Sequence, residues 1–112
     1  MDSLELANKI RDYLDNKLGE DIVCLDLKEL SSITDFLMIV TGKADTHVKA
    51  LAWGLVEDMK KNATVPLAHE GLDLGAWACI DYGDVIVHIM RKKEREIYDL
   101  QAIWGKGSSA KL

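Results

Sequence analysis

A chain of 112 residues, 48% hydrophobic and 29% charged, has room for one small core but not for two domains, and its composition is globular rather than disordered. A net charge of −5 argues against a main role in gripping nucleic-acid phosphate, which needs clustered Lys and Arg, and suits a basic partner better. No segment approaches the roughly 18 uninterrupted apolar residues of a membrane span.

The N-terminal run MDSLELANKIRDYLDNK is charged throughout and lacks the apolar centre of a signal peptide, so a cytoplasmic location is expected. Within it, Leu6, Ile10, Leu14 and Leu18 recur every four residues, with Ala7 and Tyr13 beside them. That spacing predicts a helix over 3–18, capped by Asp2 or Ser3 and ended by Gly19. DIVCLDL, 21–27, is rich in apolar and β-branched residues and reads as a strand. KELSS, 28–32, is a polar connection, and TDFLMIVTG, 34–42, is apolar on both alternating faces, as a central strand buried on both sides would be.

After a short turn, Asp45 or Thr46 can cap a helix running to about Asn62. Val48, Leu51, Ala52, Leu55, Val56 and Met59 form its apolar stripe, and Trp53 lies on the flank as a partly packed residue. Pro66, the one proline, opens a short edge strand in PLAHEG. A hairpin is expected over 76–90, then a helix over about 93–104 with Ile97, Leu100 and Trp104 on one side and Gly105 at its end. The order α-β-β-α-β-β-β-α gives an α+β (α/β layered) fold, a mixed sheet with helices packed on it. One domain is expected over 1–105, followed by a mobile polar tail over 106–112. Cys24 and Cys79 sit inside apolar runs and read as reduced packing residues.

The hairpin WACIDYGDVIVHIM carries two acids and a histidine. With Tyr82 and Gly83 as a two-residue loop, Asp81 lies opposite Asp84, Cys79 opposite Ile86 and Trp77 opposite His88. Gly83 and Asp84 then shape the turn. One face holds Ala76, Ala78, Ile80, Val85, Val87 and Ile89 and is wholly apolar. The other mixes Trp77, Cys79, Asp81, Asp84, Ile86, His88 and Met90, a composition suited to a partner interface or a partly covered surface.

Catalytic readings are weaker. His88 is four residues from Asp84, about 13 Å along a strand, too far for one ion to bind both side chains, and His47 and His69 add no ligand spacing. TGK between a strand and a helix lacks the spaced glycines and GK[ST] of a phosphate loop. Neither cysteine has a histidine in a recognisable arrangement, and there is no Gly-x-Ser-x-Gly. The residues alone stop at an acidic single domain with one odd sheet face.

Taken together, SSITDFLMIVTG, EGLDLGAWACIDYGDVIVHIM and REIYDLQAIW resemble the ribosomal silencing factor family, also called Iojap-related, from about Ala7 to Trp104. The matching positions include Ser32, Thr34, Asp35, Thr41, Gly42, Glu70, Gly71, Trp77, Asp81, Gly83, Asp84, Val87, His88, Arg95, Tyr98, Leu100 and Trp104. The resemblance implies a translational repressor that is not an enzyme and needs no cofactor or metal. Such a protein binds the large ribosomal subunit through its protein L-fourteen, blocks joining of the small subunit and lowers translation when nutrients are scarce. It also implies a nucleotidyltransferase-like fold without the catalytic motif. Large-subunit assembly through the same surface is the alternative, and a metal-dependent nucleotidyltransferase a more distant one.

Carried over by position, Trp77 and Asp81, with Met90 beside them, are the expected contacts for the ribosomal protein, joined by Tyr98 and Glu70. Ser32, Thr34, Asp35 and Gly42 read as mainly structural. Membrane contact and more than slight nucleic-acid binding are not expected. When free, the protein is expected to pair as a homodimer through the apolar hairpin face.

Overall fold

The computed structural model describes residues 1–104 and, beyond them, the backbone of the two-residue strand Ser108–Ser109. The chain runs α1 (Ser3–Asn16), β1 (Glu20–Asp26), β2 (Phe36–Gly42), α2 (Asp45–Lys61), β3 (Ala68–Glu70), β4 (Trp77–Asp81), β5 (Val85–Arg91), α3 (Lys92–Tyr98), α4 (Leu100–Ile103) and β6 (Ser108–Ser109). Among the described residues the strands form one six-stranded sheet in the order β3-β4-β5-β2-β1-β6. The central pair, β2 and β5, is parallel and the other pairs are antiparallel, so the sheet is mixed.

Two apolar layers hold it. On one face α1 and α2 cover Cys24, Phe36, Met38, Val40, Ala78, Ile80, Val85, Val87 and Ile89. On the other, Leu25, Leu37, Ile39 and Met90 form a smaller cluster under Leu100 and Trp104. β2 lies between the layers with all seven residues buried, as its doubly apolar sequence requires. The apolar stripe of α2 is the one its spacing predicts: Val48, Leu51, Ala52, Leu55 and Met59 are buried, and Val56 packs at the edge.

Both long helices stop in the same way. Past α1, Leu18 N–H donates to the Asp15 carbonyl and Gly19 N–H to the Leu14 carbonyl; past α2, Ala63 donates to Lys60 and Thr64 to Met59. This paired closure puts the residue after each C-cap in the left-handed region, and Leu18 (φ 66°) and Ala63 (φ 59°) occupy those places. Leu18 is therefore 65% exposed and no part of the α1 stripe, although its spacing predicted that it was. At the other end of α1 the expected cap is present, with the Asp2 carboxylate accepting from Glu5 N–H at 2.8 Å.

Three further expectations are corrected. Ala44, not Asp45 or Thr46, occupies the cap position of α2; its methyl group can accept no cap bond, and the Asp45 carboxylate is turned to Arg91. The last helix is two short helices: Asp99 adopts φ 36°, ψ 62° and accepts from Ala102 N–H, which restarts the chain in a new direction. Ile97 consequently points to solvent at 64% exposure while Leu100 and Trp104 cover the second cluster. The apolar hairpin face, expected to mediate self-association, is sealed beneath α1 and α2 and offers no surface for a second copy. Of the tail over 106–112, Ser108 and Ser109 pair with Asp26 and Leu25; Gly105 and the rest of the tail lie outside the described residues.

Candidate functional site: the open face of the hairpin

The hairpin closes one step further along than its loop chemistry suggested. Trp77 stands opposite Met90, Ala78 opposite Ile89, Cys79 opposite His88, Ile80 opposite Val87 and Asp81 opposite Ile86. Tyr82 N–H donates to the Val85 carbonyl, so the loop is Gly83-Asp84, with Gly83 (φ +87°) in the first loop position. Glycine in that position is the requirement of a type II′ turn. The register differs by two residues from the expected one, and an even slip leaves each side chain on its face.

The two turn residues work through different atoms than their sequence suggested. The Asp81 carboxylate, not that of Asp84, satisfies the turn by accepting from Gly83 N–H at 2.7 Å. Asp84 contributes its carbonyl, which accepts from the N–H groups of Asp35 (3.1 Å) and Phe36 (3.0 Å), and its side chain is exposed. Thr34 is buried and donates to the Phe36 carbonyl at 3.2 Å, so the 34–36 segment ties the turn to the central strand.

On the face away from α1 and α2, strand pairing aligns Glu70 with Cys79, His88 and Ile39, and Ala68 with Asp81, Ile86 and Leu37. The Ile39–Leu37 end of these rows lies under Leu100 and Trp104, while the β3–β4 end is open. There a recess of about 370 Å³ is lined by Glu70, Gly71, Leu74, Trp77, Cys79 and His88. Leu74, on its rim, is 76% exposed and was not among the residues expected at the site. Gly71 (φ +78°) lies so close to the Trp77 carbonyl that a Cβ there would collide with it.

Trp77 is the centre of this face. Its ring packs at 4.8 Å from the Tyr98 ring and 5.7 Å from His88, and its Nε1–H donates to His88 Nδ1 at 2.9 Å. Burial holds His88 at a pKa of about 4, well below the ordinary histidine value. Burial, then Asp81 and Glu70, push the Cys79 thiol up, so it is a poor nucleophile. Of the expected contact residues, Trp77 and Asp81 are half-buried, Tyr98 is 51% exposed and Glu70 is exposed. Met90 is the exception: it is fully buried in the second cluster and supports the face from beneath rather than presenting itself to a partner. Tyr98 sits against Trp77 because α3 leaves β5 directly and crosses this side of the sheet.

Among the described residues, no three His, Cys, Asp or Glu side chains converge as a metal site. A larger recess, about 540 Å³, lies beyond α3 with Arg95 in its wall. There the guanidinium donates to the Asp21 carbonyl, Thr41 Oγ1 and Gln101 Oε1, bonds that fasten α3 to β1, β2 and α4. Off the site, Trp53 is 39% exposed and donates to Asp73 at 3.0 Å, with His69 at its edge, a partly packed flank residue as its position implied.

The family model described as "Ribosomal silencing factor during starvation" matches residues 1–112. The chain belongs to the ribosomal silencing factor family. The ribosomal silencing factor of Haemophilus influenzae is 37% identical over 101 residues, 90% of this chain and 99% of the relative. That of Bacillus subtilis is 36% identical over 98 residues, 88% and 83% of the two chains. A mouse relative, named for mitochondrial assembly of the ribosomal large subunit, is 29% identical over 89 residues, 77% of this chain and 39% of its own. A crystal structure of a Chromobacterium violaceum protein superposes with a TM-score of 0.91 at 32% identity, covering 100% of this chain and 92% of that one. The α+β layered fold is thus that of solved silencing-factor-like structures.

Proposed function

We propose that this protein is a ribosome-binding regulator rather than an enzyme, and that it docks on the large subunit through the open hairpin face. The partner is the subunit's protein L-fourteen, and the consequence is steric exclusion of the small subunit, with lowered translation in the cytoplasm under nutrient limitation. The observation that carries this reading is the Trp77 centre: a half-buried aromatic ring backed by Tyr98 and His88, beside a recess whose one charged wall residue is Glu70. A preorganised aromatic anchor with an acidic rim, here Glu70 and Asp81, is the composition of a hot spot for a basic protein. The names of the relatives support the ribosome as the target.

The test is co-sedimentation of Trp77→Ala with purified large subunits, alongside a subunit-joining assay. The variant is expected to keep its helical signal, lose co-sedimentation and leave subunit joining unimpeded. Wild-type binding by a folded Trp77→Ala chain refutes the docking assignment.

A role in large-subunit assembly through the same face is the second reading, favoured by the printed name of the mouse relative. Binding to assembly intermediates in preference to mature subunits distinguishes it. A metal-dependent nucleotidyltransferase has less support. Asp81 is committed to the turn, and no three donor side chains converge among the described residues.

A further inference from the structure

The docking role of Trp77 raises the question of what holds its indole in place. Trp77 and His88 are diagonal neighbours on adjacent antiparallel strands, since Trp77 faces Met90 and His88 faces Cys79. Long side chains reach each other across that diagonal. The indole N–H is a donor only, so the 2.9 Å contact requires a lone pair on His88 Nδ1 and puts the ring proton on Nε2.

We propose that His88 is the positioning residue of the docking face, holding the Trp77 indole in the orientation in which it meets its partner. This rests on the docking reading above. His88 is half-buried in the floor of the recess, behind the surface that a partner would cover. Its ring stands at a 53° tilt to the indole while Tyr98 packs at 42°, so the indole is held by a hydrogen bond and two ring contacts. The low pKa keeps the ring neutral and accepting at neutral pH. Without the acceptor, a half-buried indole N–H loses its partner, and the ring gains by rotating toward water. Sequence spacing placed His88 on the same face as Trp77 but carries no information on ring orientation, so the bond itself was not legible there.

The experiment measures affinity for purified large subunits with the full chain and four variants: His88→Leu, His88→Asn, Trp77→Ala and the double Trp77→Ala/His88→Leu. His88→Val replaces His88→Leu should that variant fail to fold. One neutral hydrogen bond corresponds to a loss of about fivefold to tenfold, the expected result for His88→Leu. His88→Asn, whose amide oxygen stands near the place of Nδ1, is expected to restore affinity to within about threefold, less than the value of one neutral hydrogen bond. In the residual binding of the Trp77→Ala background, read at subunit concentrations raised above those of the co-sedimentation test, the His88 change is expected to add nothing, because it acts through the indole. The Trp77 indole N–H resonance is expected to move in His88→Leu.

Wild-type affinity in folded His88→Leu overturns the proposal. So does an equal loss from His88→Leu with and without Trp77, or a failure of His88→Asn to rescue. If Trp77→Ala itself binds like the wild type, the docking reading has failed and the positioning role falls with it. If Trp77→Ala loses binding and His88→Leu does not, the positioning role alone has failed.

Discussion

The Asp81 carboxylate accepts from Gly83 N–H at 2.7 Å, so the acid expected to face a partner also closes the hairpin turn. The two roles separate chemically. Asp81→Asn keeps an acceptor oxygen for Gly83 and removes the charge, whereas Asp81→Ala removes both. Asp81→Ala is expected to lower stability by about 1 kcal/mol, the value of a local side-chain cap, with Asp81→Asn close to wild type. Both are expected to weaken binding to large subunits, with a smaller salt dependence than wild type. Denaturant unfolding and salt-titrated co-sedimentation check the two halves. Unchanged salt dependence in Asp81→Asn removes the carboxylate from the interface.

His88 makes stability depend on pH. Its folded pKa of about 4 lies below the unfolded value of about 6.5, so the unfolded chain binds the extra proton first as pH falls. The stability contributed by the neutral ring is fully present above pH ~6.5 and is lost as pH drops toward about 4. At about 1.4 kcal/mol per unit, the loss approaches about 3 kcal/mol. Other groups titrate in the same window, so the comparison is with His88→Asn. The stability difference between wild type and that variant is expected to shift steadily against wild type from pH 7 to pH 4.5. A difference flat across that range contradicts the assignment.

Much of this arrangement is legible from the chain. β2 announces itself because apolar residues on both alternating faces fit only a strand covered twice, and the α2 stripe because six residues share one side of a helix. The two hairpin faces also follow from alternation, which an even register slip cannot disturb. The register itself was not legible, because Tyr-Gly and Gly-Asp both offer a glycine. The bond from Asp81 to Gly83 and the fit of Gly83 to the first loop position decide between them. The end of α1 was read too far along because Leu18 adopts a conformation that favours glycine, whereas α2 ends at Asn62 as expected although Ala63 adopts the same conformation. The break at Asp99 carries no proline or glycine to mark it. Met90 shares a face with Trp77, but α4 covers only its end of that face, a tertiary fact that no local pattern contains.

Met90 and Tyr98 therefore respond oppositely to truncation. Met90 is fully buried in the smaller cluster, and Met90→Ala is expected to cost about 2–4 kcal/mol by leaving a cavity. Tyr98 is 51% exposed, and Tyr98→Ala is expected to cost under about 1 kcal/mol while weakening binding to large subunits, since its ring backs Trp77. Thermal unfolding and co-sedimentation on the same two variants check this. Equal destabilisation by both changes contradicts the burial difference.

Ala63 offers the reverse test, a change expected to improve the protein. It stands just past α2 at φ 59°, where its N–H closes onto the Lys60 carbonyl at 3.0 Å. The left-handed region costs an L side chain roughly 1–2 kcal/mol and costs glycine nothing. Glycine's greater freedom in the unfolded chain takes back part of that gain. Ala63→Gly is therefore expected to stabilise the domain by about 0.5–1 kcal/mol, with binding to large subunits unaffected because α2 covers the sheet face opposite to the Trp77 recess. Chemical denaturation is expected to show a higher midpoint at an unchanged slope. A lower midpoint means that the entropy of the unfolded chain outweighs the strain relieved.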